Sequence, residues 1–94
     1  MSHRMLKFEV PVPDGMQPVK IEMPLGAKPL HVGFQFGSVM LWALCDTANT
    51  ELKEQEFMVC PTGVEVDLPA FSRFVGSAVS PGGELVFHIF SLER

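Results

Sequence analysis

Two adjacent segments constrain the fold more than any other part of the chain. Leu30-His31-Val32-Gly33-Phe34-Gln35-Phe36-Gly37 alternates large apolar residues with small or polar ones, the pattern of a strand with one buried face. Val39-Met40-Leu41-Trp42-Ala43-Leu44-Cys45 follows it with no polar position at all. Covering a strand on both sides is difficult within 94 residues, because a chain of that size buries only roughly 60–65% of the surface its unfolded form exposes. The run therefore predicts cover from outside the chain, most simply a second copy in a two-fold dimer, with Met40, Leu41 and Trp42 as interface candidates. Only one of the neighbours Met40 and Leu41 can point outward in a strand.

Composition narrows the class. Hydrophobic residues make up 47% of the chain and charged residues 19%, which is too apolar for a disordered segment and suits one domain. The formal charge is −4, and no basic stripe stands ready to release counterions from a phosphate backbone, so nucleic acid is not an expected partner. No apolar run approaches the ~20 residues of a membrane helix, and no membrane association is expected. Met1-Ser2-His3-Arg4-Met5-Leu6-Lys7 lacks the apolar centre of a secretory signal, which predicts a cytoplasmic protein whose Cys45 and Cys60 stay reduced.

The remaining segments read as short strands separated by turn chemistry. Leu6, Phe8 and Val10 alternate with Lys7 and Glu9; Val19, Ile21 and Met23 alternate with Lys20 and Glu22; Pro13-Asp14-Gly15 lies between them. The two are expected to pair as a hairpin at a sheet edge. Residues 46–55 are the longest polar stretch and are expected to form a mobile loop, followed by a strand over Phe57–Cys60 and irregular chain over residues 64–72. A strand over Arg73–Val79 carries Gly76, which suits a bulge or the close approach of another backbone. Ser80-Pro81-Gly82-Gly83 then turns into a final strand over Glu84–Leu92. The expectation is all-β: a single-domain antiparallel β-sandwich or small barrel of six to seven strands over residues 5–94, with the third, fourth and final strands central. Residues 1–4 are expected to form a flexible tail.

Leu30-His31-Val32-Gly33, Leu41-Trp42-Ala43-Leu44-Cys45-Asp46, Phe74-Val75-Gly76 and Pro81-Gly82-Gly83-Glu84-Leu85-Val86-Phe87-His88-Ile89-Phe90 together resemble a family of small proteins of tailed phages, prophages and some actinobacteria. The order of segments matches from about Met5 to the end, including Lys7-Phe8-Glu9-Val10-Pro11. That family is a domain of unknown function. The resemblance implies a compact β fold and a phage or prophage origin, and it carries over no activity. Where relatives have a loop of the type Thr-Gly-His, this chain has Pro61-Thr62-Gly63-Val64, which removes any role for a histidine there.

Chemistry-bearing residues are few. His31 and His88 lie mid-strand, and with Asp46 or Cys45 they are the candidates for a metal site; no short ligand spacing accompanies them, so neither metal nor cofactor is expected. Cys45 or Cys60 beside a histidine has the elements of a nucleophilic site but lacks the electropositive setting that would activate a thiol. No serine sits in a Gly-x-Ser-x-Gly elbow, and Gly82 and Gly83 belong to a hairpin rather than to a phosphate-cradling loop. These readings favour a non-enzymatic phage or prophage binding or assembly protein that self-associates. The alternatives are a small-ligand binder, a class that includes host-defence antagonists, and a small metal-assisted hydrolase using His31 and His88. An anionic ligand requires Lys28, Arg73 and backbone amides to converge.

Overall fold

Alternation and turn chemistry divide the chain into strands in the computed structural model, which describes residues 1–93. In order these are β1 (His3–Glu9), β2 (Val19–Pro24), β3 (Lys28–Gln35), β4 (Ser38–Asp46), β5 (Leu52–Pro61), β6 (Arg73–Val79) and β7 (Val86–Ser91), and no helix occurs among the described residues. They form two antiparallel sheets, β1-β4-β3 and β2-β5-β7-β6, stacked as an open sandwich rather than closed into a barrel.

The apolar run over Val39–Cys45 resolves into two faces. Val39, Leu41, Ala43 and Cys45 point into the core, while Met40, Trp42 and Leu44 are half-buried on the outside of the sheet. From the opposite sheet, Val19, Ile21, Met23, Phe57, Val59 and Ile89 complete the core. Phe57, Met23, Leu41 and Ile89 are its largest fully buried side chains, each contributing about 2–3 kcal/mol of transfer free energy. At Gly76 a bulge brings β6 against β3 so closely that an added Cβ would lie 3.1 Å from both the backbone nitrogen and the Cβ of Val32. Both roles expected of that glycine are filled, and the contact closes one side of the sandwich.

Several expectations are corrected. The first two strands do not form a hairpin: β1 pairs with β4, Lys7 opposite Trp42, and β2 pairs with β5 in the other sheet, Val19 opposite Phe57. Pro11, Pro13 and Pro18 in the connection lack ladder donors, so the chain passes between sheets instead of folding back. Strand β3 lies at an edge, and Leu30 is expelled at a bulge between Pro29 and His31, leaving it 56% exposed. Of the polar stretch 46–55, residues 47–51 are turn and loop, but residues 52–55 begin β5, because β2 gives them a partner, with Ile21 opposite Gln55 and Met23 opposite Lys53. The expected tail is shorter, since His3 and Arg4 already pair with Asp46 and Cys45.

Strands β5 and β6 are both antiparallel to β7, which lies between them. They therefore run parallel, and residues 62–72 must cross the sheet from the Pro61–Phe87 end to the Arg73–Ser91 end. The core occupies the inner side, so the crossover takes the outer one. There Met58 and Cys60 are buried outside the core cluster.

Candidate functional site

Strand register builds the outward face of the β1-β4-β3 sheet row by row. Glu9, Met40 and Gly33 form one row, Lys7, Trp42 and His31 the next, and Met5, Leu44 and Lys28 the third. Gly33 leaves room for the Trp42 ring, whose Cζ3 would lie 3.4 Å from a Cβ at that position. His31 packs tilted against the same indole, with ring centroids 5.4 Å apart. At the end of the β3–β4 hairpin, Phe36 and Gly37 both adopt positive φ, 53° and 79°, as a two-residue type I′ turn requires. Asn or Gly is the usual occupant of the first position; a phenylalanine there costs roughly 1 kcal/mol in local strain. Phe36 is nonetheless 88% exposed, with Lys7 Nζ 5.5 Å from its ring centre and donating to Gln35 Oε1 at 2.7 Å.

Of the sequence-derived interface candidates, Met40 and Trp42 face outward. Leu41 does not: it is fully buried in the core. Met5, Leu44 and Phe36 belong to the same outward surface and were not among the candidates. Strict alternation from Met40 points to Leu44, whereas Phe36 continues, in sequence, the apolar alternation of Val32 and Phe34.

The histidines face opposite ways. Their neighbours Val32 and Ile89 lie in the core, so His31 points out from one sheet and His88 out from the other. Asp46 Oδ1 accepts a hydrogen bond from the Ala48 backbone N–H at 2.9 Å. The three metal candidates are thus not brought together, and among the described residues no group of three His, Cys, Asp or Glu side chains is placed to hold a metal ion. His88 is instead clamped between hydroxyls, with Nδ1 2.7 Å from Ser77 Oγ and Nε2 2.8 Å from Thr62 Oγ1. Thr62 Oγ1 also donates to the Val86 carbonyl at 3.4 Å, which leaves it to accept from Nε2–H while Nδ1 accepts from Ser77. The ring ties the turn after β5 to β6.

A third feature is a cleft of about 630 Å³ at one open end of the sandwich, where the starts of β3 and β6 face each other across β5 and β7. Lys28, Lys53, Arg73, Gln55, Ser91 and Phe74 contribute to its lining. Lys28 and Arg73, two of the groups that an anionic ligand would require, both line it, and Lys53 joins them.

Residues 1–94 match the family model described as Domain of unknown function (DUF7352). The chain belongs to this family. Membership in DUF7352 covers the first four residues, two of which begin β1. No curated protein and no solved structure matches the chain. No helix among the described residues is long and apolar enough to cross a membrane.

Within this DUF7352 fold the thiols are separated by a whole sheet. Cys45 is in the core, its Sγ donating to the Ala43 carbonyl at 3.6 Å, and Cys60 lies on the outer side of β5 directly opposite His88; both are free. Burial pushes both thiols above their ordinary pKa, the reverse of what an attacking thiolate needs. Both should react with Ellman's reagent at pH 7 roughly a hundredfold more slowly in the folded than in the unfolded chain, since attack requires local opening. Their raised pKa values also stabilise the fold fully below the unfolded value of about 8.5, and that contribution should fade as pH rises further. Melting temperatures from pH 7 to about pH 10 measure the loss; rapid labelling of native protein would contradict the placement.

Proposed function

We propose that this member of DUF7352 is a non-enzymatic binding or assembly protein of phage or prophage origin, acting in the host cytoplasm, that self-associates through the outward face of the β1-β4-β3 sheet. Phe36 carries the reading. A bulky aromatic residue held at positive φ and 88% exposed contributes little within its own chain and is placed to contact another. Behind it, Met40, Trp42, Leu44 and Met5 supply an apolar centre. The rows are also self-complementary, because Glu9 stands at one end of the face and Lys28 at the other. A two-fold axis in the interface plane, passing through Trp42 and perpendicular to the line from Glu9 to Lys28, sets Glu9 of one copy over Lys28 of the second, and Trp42 over Trp42.

Size sets the expected affinity. Three strands about 4.8 Å apart and roughly 20 Å long give a face at the small end of stable interfaces, near 1,000 Å² in total, which suits a micromolar dimer. Sedimentation velocity between about 1 and about 100 µM should show the 10.4 kDa chain shifting to twice its mass. Phe36→Asn should remain monomeric and melt higher than wild type, since asparagine suits the turn. A wild-type chain that stays monomeric throughout this range overturns the proposal.

A further inference from the structure

Hydrogen bonds decide which backbone groups of the outermost strands are already engaged within the chain. In an antiparallel pair, alternate residues turn their N–H and C=O toward the neighbouring strand, and the rest turn theirs away. Val10 N–H donates to the Val39 carbonyl at 2.8 Å and Thr47 N–H to the Ser2 carbonyl at 3.1 Å, so the even-numbered residues of β1 are the ones bonded to β4. His3, Met5, Lys7 and Glu9 therefore aim their backbone groups off the side of the sheet, where the order β1-β4-β3 places no further strand. By the same rule, the bond from Leu25 N–H to the Glu51 carbonyl at 2.8 Å leaves Lys20, Glu22 and Pro24 of β2 aimed outward.

The other edges are closed or blunted. Strands β3 and β6 shield one another along the seam where Gly76 stands against the Val32 backbone nitrogen. β2 is bracketed by Pro18 and Pro24 and carries Lys20 and Glu22 at its outward-aimed positions. β1 holds no proline, and the lysine that would guard it is drawn away, because Lys7 Nζ reaches across the outward face to donate to Gln35 Oε1 at 2.7 Å.

We propose that β1 pairs antiparallel with β1 of a second copy, joining the 3-stranded sheets of the two into one continuous sheet. Parity carries the inference. With His3–Glu9 fully overlapped, His3 lies opposite Glu9 and Met5 opposite Lys7, so every outward-aimed N–H and C=O of the strand meets a partner. On the inner side Leu6 meets Leu6, and Arg4 lies opposite Phe8. Leu6 and Phe8 are half-buried at the rim of the core, and the second copy covers them. A slip to the next bonded register sets Lys7 opposite Lys7 in one direction and carries Glu9 past the end of the strand in the other. The full overlap alone combines the longest ladder with no opposed like charges.

A two-stranded contact of this length buries on the order of 500 Å², below the range of stable interfaces, so the pairing belongs to near-millimolar concentrations. It does not rest on the outward-face dimer, since it uses backbone groups and the inner side chains Arg4, Leu6 and Phe8. Together the two contacts carry assembly beyond a dimer, because each is a two-fold contact on a different surface.

Phe36→Asn protein isolates the edge by removing the outward-face contact. Its mass in sedimentation equilibrium should rise from one chain toward two between about 0.05 and about 2 mM. Over that range, hydrogen exchange at the Met5 and Lys7 amides should slow at least about twofold, while the Arg4 and Leu6 amides, already bonded to β4, stay unchanged. In the same background Met5→Pro removes an outward N–H without touching a bond to β4 and should stay monomeric. Met5→Lys, which sets a cation opposite Lys7 of the second copy, should do the same. A single-chain mass at about 2 mM, slowed exchange at Lys20 and Glu22 instead of Met5 and Lys7, or undiminished pairing by a folded Met5 variant overturns the proposal.

Discussion

Leu41→Glu should abolish the native fold, while Met40→Glu, one residue earlier, should leave it intact and remove self-association. Leu41 is fully buried in the apolar core, opposite Phe8 on β1 and Val32 on β3, where a carboxylate would face hydrophobic side chains. Burying the charge costs several kcal/mol, and loss of the leucine contacts adds about 2–3. A chain of this size has a total stability of only about 5–14 kcal/mol, so the sum takes most or all of it. Met40 lies on the outward side in the row of Glu9 and Gly33, where a carboxylate stays hydrated in the single chain. Circular dichroism and amide dispersion distinguish the two variants. A native spectrum for Leu41→Glu would mean that β4 presents its other side to the core.

Phe57→Ala should destabilise by about 3–5 kcal/mol, lowering the melting temperature by roughly 15–30 °C. Phe57 is completely buried on an inner strand of the larger sheet, opposite Val19 and Ser91, where loss of the ring leaves a cavity. The informative control is Phe74→Ala. That ring is 59% exposed and packs edge-on against Phe90, so its loss should cost less than about 1 kcal/mol. Urea titrations of both variants give the comparison directly. Equal losses would show that the end of the sandwich near Phe74 is as tightly packed as its centre.

What the sequence determined by itself was the local grammar. Period-two alternation identified the sides of β2, and Gly76 announced both the bulge and the close approach of another backbone. Proline and glycine excluded long helices, and the bounds of β6 were legible to the residue. These features are local because side-chain alternation and turn conformation depend on neighbouring residues only. Which strands pair depends on contacts far apart in sequence, and there the reading failed. The proline-rich connection after β1 marked a change of direction, but only packing of Leu6 and Phe8 against the shared core, beside β4, sent β1 to a different sheet from β2. Phe36 likewise continued an apolar alternation in sequence, and only the tight turn turned it outward.

The cleft shows the same division most sharply. Lys28, Lys53 and Arg73 are separated by at least a score of positions at each step, and each alone reads as a solvated surface charge. The order β2-β5-β7-β6 and the seam between β3 and β6 bring them to one end of the sandwich. The chain's residues determine which side of each strand is wet, because that is a matter of alternate positions along one backbone. Which wet positions meet is decided by the tertiary structure, because only the closure of two sheets on a shared core sets the distances between strands remote in sequence.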